Sequence, residues 1–147
     1  MENVALRMLE LKFNGYCCVQ IMLLMALDAQ GKKNADLVRT AGGLCNGVGM
    51  SGEICGALSG GICILSLYTG KGSHDEETDR RYPLMANELI EWFRTEISRD
   101  YGGIRCADII RQNPDKSACS PIVVATYEKT FEILIAHGLD PSSGREA

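Results

Sequence analysis

The uncharged run from Ile54 to Gly70 constrains this chain more than any other feature. An uninterrupted apolar segment of 17 positions needs burial on every side, so the remaining elements must surround it. It fails as a membrane span. A bilayer helix wants about 20 strongly apolar residues, whereas Gly56, Ser59, Gly60, Gly61 and Ser66 dilute this one and Glu53 and Lys71 fence it. Gly52, Gly56 and Gly60 recur every four residues, leaving one face without side chains where another backbone packs closely. The expected element is a central, tightly crossed helix over Glu53 to Tyr68, stopped by Gly70 and Gly72.

Helical periodicity continues on both sides of it. Ala5, Leu6, Met8 and Leu9 open the chain, and after Gly15 a richer stretch runs from Tyr16 to Ala29. Asn34 precedes a third segment, Ala35 to about Leu44, and the glycines from Gly42 to Gly52 then read as a loop. Beyond a polar stretch, His74 to Arg81, Pro83 suits a first helical position. Leu84, Leu89, Trp92, Phe93 and Ile97 follow near a 3.6 period until Gly102-Gly103. A short helix over Ala107 to Gln112 ends at Asn113-Pro114. Ser120-Pro121 reads as a cap and first turn for a last helix with Val124, Tyr127, Phe131, Leu134 and Ile135 inward. Gly138 ends it, and Asp140 to Ala147 is expected to fray. No strand-like alternation occurs, so the expectation is one all-α domain over residues 1–147, a bundle of about six helices.

A chain of 147 residues with 46% hydrophobic and 23% charged residues has the composition of one folded domain. Its net charge of -4 gives no general attraction to phosphate backbones or anionic lipid, so neither nucleic acid nor a membrane is expected as a partner. Cysteine is the anomaly: 7 residues is too many to ignore and too few for a small secreted disulfide scaffold, which typically carries more than about 8–10%. Glu2, Arg7, Glu10 and Lys12 punctuate the N-terminal residues, unlike a signal or transit peptide. The expectation is therefore a reducing cytoplasm, where cysteines serve catalysis, redox chemistry or metal binding more often than structural bridging.

Gly47-Val48-Gly49-Met50-Ser51-Gly52 matches G-x-G-x-x-G, but no buried strand delivers the chain to it, so no NAD site is expected. What remains of the motif is a candidate nest of backbone N–H groups at Gly49, Gly52 and Gly56 that could stabilise an anion, a thiolate or a cofactor. No Cys-x-x-Cys occurs, which removes the thioredoxin-type dithiol, the ordinary zinc ribbon and c-type haem attachment. His74 lies in a charged loop and His137 at a helix end, where the dipole accounts for it. Asp75, Glu76, Glu77 and Asp79 read as a solvated acidic face. Cys63, deep in the central helix, reads as a small hydrophobe.

Four cysteines share one kind of position. Cys18 falls in a first turn after Gly15, Cys55 follows the glycine loop, Cys106 opens a short helix beside Arg105, and Cys119 precedes Ser120-Pro121. A helix N-terminus carries roughly half a positive charge, which favours thiolate over thiol and hence both nucleophilicity and metal ligation. Glu53 opposes this at Cys55.

These residues carry a resemblance. Tyr16-Cys17-Cys18-Val19-Gln20, then Cys55-Gly56-Ala57-Leu58-Ser59-Gly60, then single cysteines at 106 and 119, resemble the C_GCAxxG_C_C family of redox-active proteins over most of the chain. Cys18 takes the first motif position because Val19-Gln20 follows it, and Cys45 and Cys63 stand outside the pattern. The resemblance implies four functional cysteines, a redox role and, for many members, encoding near transporter genes.

Cys18, Cys55, Cys106 and Cys119 are thus the expected catalytic or metal-ligating set. They would either hold an iron–sulfur cluster or a single transition metal, or cycle through a disulfide, with a redox partner still to be named. The rival expectations are a non-catalytic helical binding module or transporter-associated adaptor, and a nucleotide binder using Gly47 to Gly52. A homodimer is compatible with all of them.

Overall fold

The computed structural model describes residues 3–145. Among the described residues eight α-helices follow in order: α1 (Val4–Phe13), α2 (Cys18–Gln30), α3 (Ala35–Ala41), α4 (Gly56–Thr69), α5 (Arg81–Trp92), α6 (Ser98–Tyr101), α7 (Cys106–Gln112) and α8 (Cys119–Ala136), with a 3-10 turn, Gly42–Leu44, after α3. A π-helical stretch, Phe93–Ile97, joins α5 to α6, so seven rods result. Among the described residues there is no strand, only an antiparallel bridge between Ile54 and Arg105. The class is all-α. No helix of the described residues is long and apolar enough to cross a membrane.

The glycines explain why α4 is central. A Cβ on Gly60 would stand 2.8 Å from Met22 Cβ, and one on Gly56 would stand 3.0 Å from Cys18 Cβ, so these two positions let α2 lie almost backbone to backbone on α4. On the adjoining face, about 100° round the helix, a Cβ on Gly61 would meet Leu89 of α5 at 2.8 Å and Thr130 of α8 at 2.9 Å. Helix α4 is therefore clasped from two sides at glycines one residue apart. Gly52 belongs to neither contact. It precedes the helix at φ +79° and lies against Ala107 of α7.

Both ends of α2 are set locally. Gln20 accepts a hydrogen bond through Oε1 from the Cys17 N–H, and Gly31 adopts φ +65° to close the C-terminus, with Lys32 N–H donating to Leu27 O. Across the core, Tyr127 stacks on Phe131 at 4.5 Å and donates through its hydroxyl to Met25 O at 3.0 Å, tying α8 to α2.

Several boundaries differ from the sequence reading. Helix α4 begins at Gly56 rather than Glu53, because Glu53 to Cys55 run extended beside α7. Helix α8 begins at Cys119, so Ser120 is inside it rather than capping it. The tail expected to fray is tied down over residues 140–145: Tyr68 donates its hydroxyl proton to Pro141 O, and Arg145 donates to Thr69 O and Glu77 O. Residues 146 and 147 of that expectation lie outside the described residues.

Candidate functional site

Four cysteines meet at one small cavity, of about 40 Å³, which Cys18, Cys55, Cys106 and Cys119 line together with Asn46, Gly56, Ile109, Ile110, Lys116 and Ile122. Three are first residues of their helices, Cys18 in α2, Cys106 in α7 and Cys119 in α8, and Cys55 occupies the cap position of α4. Four helix starts thus converge. Close packing of α2 on α4 at Gly56 brings Cys18 to Cys55.

A short backbone ladder brings Cys106 to Cys55. Cys55 N–H donates to Ile104 O at 2.9 Å, Cys106 N–H to Glu53 O at 2.6 Å, and Ala107 N–H to Gly52 O at 2.9 Å. Outside the ladder Arg105 forks onto the Glu53 carboxylate at 3.0 and 3.2 Å. The carboxylate that the sequence sets against a Cys55 thiolate therefore has a guanidinium of its own. It spans residues 52 apart in the chain, which no local pattern announces.

The helix N-termini do not govern the thiols as their positions suggest. Burial outweighs the dipole at Cys55, pushing it up to about 11 against the opposing pull of the Ala57 and Leu58 N–H groups, neither of which reaches the geometry of a full cap bond. Burial also raises Cys106, and the neighbouring Cys119 charge adds to it while Lys116 subtracts. Cys18 and Cys119 split apart. Interaction between their side chains keeps the proton on Cys18, holding it far above the usual thiol range. The same interaction is the main reason that Cys119 is lowered to about 6, with Lys12 and Lys116 adding positive potential against the cost of burial. Lys12 reaches this helix start through a 3.1 Å hydrogen bond to Ser120 Oγ.

The remaining cysteines are elsewhere. Cys17 and Cys45 form a disulfide, with Cα atoms 5.8 Å apart, closing a separation of 28 residues. The sequence reading, which expected catalysis, redox chemistry or metal binding more often than structural bridging, named no such pair: the bond requires the start of α2 and the turn after α3 to meet, and that is a tertiary fact. Cys63 lies half-buried in α4 beside Leu23 and Leu44, away from the cavity, its pKa raised by burial.

The glycine loop supplies a wall rather than a cradle. Asn46, Gly47, Val48, Gly49 and Met50 are five consecutive residues with positive φ, from 54° to 77°. Such backbone costs a non-glycine residue roughly 1–2 kcal/mol, and Val48 is the outlier because of its branched Cβ. Every N–H from Val48 to Glu53 donates to a carbonyl between Gly43 and Val48, so none is left to bind an anion. Of the residues expected to form a cofactor nest, Gly49 is exposed, Gly52 packs on Ala107, and only Gly56 lines the cavity.

Asn46, Lys12 and Lys116 are the participants that sequence reasoning passed over. Lys116 sits at φ +60°, a conformation uncommon for lysine, but nothing in the sequence links it to a thiol. His137 meets Glu88 at 3.2 Å, remote from the cysteines in the fold. Among the described residues no group of three or more His, Cys, Asp or Glu side chains has an arrangement that would hold a metal ion. The four cysteines thus share a cavity without forming a ligand cage.

No curated protein and no solved structure matches the chain. A family model does, over residues 16–133, which take in all four cavity cysteines and the Cys55-Gly56-Ala57-Leu58-Ser59-Gly60 segment. The chain belongs to the family described as putative redox-active protein (C_GCAxxG_C_C).

Proposed function

We propose that this protein exchanges electrons through thiols and disulfides, with Cys119 as attacking thiolate and Cys18 as its resolving partner. The observation that carries the reading is the meeting of these two side chains at a cavity lined by four cysteines, where each shifts the other's ionisation in the opposite direction. An active dithiol needs one sulfur that is ionised near neutral pH and a second that stays protonated beside it until the first has reacted.

The Cys119 thiolate attacks one sulfur of a substrate disulfide, whose other sulfur leaves as a thiolate. Cys18 then loses its proton and attacks the Cys119 sulfur of the mixed disulfide. The second substrate thiolate leaves, and a Cys18–Cys119 disulfide remains. Two electrons have passed to the substrate, which collects two protons as a dithiol. Cys55 and Cys106, held side by side by the ladder, are a second pair through which an external dithiol could restore the first. The electron partner is therefore a dithiol or disulfide compound, in keeping with the family's redox character.

An iron–sulfur cluster or single metal on the same four cysteines is the competing reading, favoured by their convergence alone. One experiment separates them. Protein purified without oxygen is assayed for iron, zinc and acid-labile sulfide, then oxidised with a small disulfide and digested. The expected result is substoichiometric metal and a peptide pair joined through Cys18 and Cys119. Stoichiometric iron with sulfide, or zinc retained until all four cysteines are replaced, overturns the thiol–disulfide reading.

A further inference from the structure

The Cys17–Cys45 bond joins the chain neighbours of two cavity residues. Cys17 directly precedes Cys18, and Cys45 directly precedes Asn46, so one covalent bond fixes the segment that delivers a reactive sulfur against the segment that walls it in. Neither Cys17 nor Cys45 is fully buried, which leaves the bond within reach of a reagent.

Cys45 leads directly into the five-residue stretch of positive φ. A backbone of that kind persists only where its surroundings over-determine it. Here the surroundings are its own hydrogen bonds and the disulfide at its root, since the coil turns Val48 and Met50 outward, where they are 43% and 77% exposed and contribute little burial. Removing the bond leaves Asn46 and the coil held by backbone hydrogen bonds and by the one that Ser51 Oγ donates to Gly47 O at 2.8 Å.

We propose that Cys17–Cys45 is a second redox site, reduced by a dithiol, which latches the Asn46 coil over the four-cysteine cavity and so sets access to it. A thiolate of the dithiol attacks Cys45 Sγ and Cys17 leaves as a thiolate. The second thiol of the reductant then attacks its own partner sulfur in the mixed disulfide, and Cys45 leaves. The reductant departs as a disulfide, and its two protons end on Cys17 and Cys45. The cavity is taken as the reactive site, as proposed above; the latch controls how fast a reagent reaches it.

The test is the rate at which iodoacetamide alkylates Cys119 in the full chain. The peptide from Ser117 to Lys129 carries Cys119 as its only cysteine, so tryptic mass spectrometry reads it without ambiguity. Cys45→Ser should raise that rate at least fivefold over wild type that mass spectrometry shows to hold the Cys17–Cys45 disulfide with Cys18 and Cys119 as free thiols, with Cys63→Ser unchanged. Equal rates in Cys45→Ser and that wild type overturn the latch. If Cys45→Ser loses helical circular dichroism, the same wild type is compared before and after a dithiothreitol pulse, where a rate that does not rise has the same meaning. Because alkylation reports access and needs no turnover, a failed latch leaves the Cys18–Cys119 exchange standing. A Cys18–Cys119 disulfide that never forms removes that reading while the access result is still measured.

Discussion

Cys18 and Cys119 line one cavity, and their interaction sends the two sulfurs in opposite directions. Cys119 is lowered to about 6 while Cys18 is raised, which favours one thiolate beside one thiol at neutral pH. The alkylation rate of Cys119 should therefore rise with pH through a midpoint near 6 and level off above it. Cys18→Ser keeps a hydroxyl donor and should leave that midpoint low, whereas Cys18→Ala removes the donor and should move it toward the ordinary thiol value of about 8.5. The rate at pH 7 should fall only a few-fold in Cys18→Ala, because a more basic thiolate is intrinsically more nucleophilic and offsets its lower abundance. A midpoint that stays put in Cys18→Ala would show that Cys18 is not the cause.

Lys116 lines the cavity and favours the charged form of Cys119 from an exposed position, where solvent screens it. Lys116→Met should raise the Cys119 midpoint by roughly 0.2–0.7 pH units, the equivalent of a screened surface interaction. The change should shrink as salt is raised from 0.05 to about 1 M, where the Debye length falls to about 3 Å. Salt titration of the alkylation rate in both proteins checks it.

Gly60 has no space for a side chain, since a Cβ there would collide with Met22 Cβ and Cγ at 2.8 and 2.9 Å, and Met22 is fully buried. Its Cβ cannot rotate away. Gly60→Ala gains about 1 kcal/mol of helix propensity but overpacks a core crossing at a cost of about 1–3 kcal/mol, for a net loss of up to about 2 kcal/mol. The urea midpoint should fall with the slope unchanged. Gly43→Ala, where nothing lies within 4 Å, should leave the midpoint in place.

Tyr68 holds the C-terminal segment by donating to Pro141 O while its ring packs edge-on against Phe131 at 6.3 Å. Tyr68→Phe keeps the ring and loses the bond, so stability should drop by about 1 kcal/mol. Limited proteolysis should release the segment after Leu139 faster in the variant. An unchanged cleavage rate would mean that Arg145 alone anchors it.

Much of this was legible in the residues. Period-3.6 stripes and glycine stops located the helices because glycine weakens a helix interior and a packed helix demands an apolar face, and the fourfold glycine spacing marked the crossing of α2 on α4, where close approach offsets that cost. The four cysteines were legible as a set because each stands at a helix start. Where the reading slipped, distant chain had intervened: Glu53 to Cys55 is extended because α7 lies beside it, and the tail is ordered because Tyr68 and Thr69 receive it.

The sequence by itself determined the helical class, the central apolar helix and the identity of the four cysteines, since those follow from periodicity, steric size and residue type along one stretch of chain. Tertiary structure alone decided which thiol ionises, which cysteines pair and where the glycine loop lies. Burial, the meeting of residues 18 and 119 at one cavity and the approach of Cys17 to Cys45 depend on what the fold brings together, and short-range pattern carries no record of that.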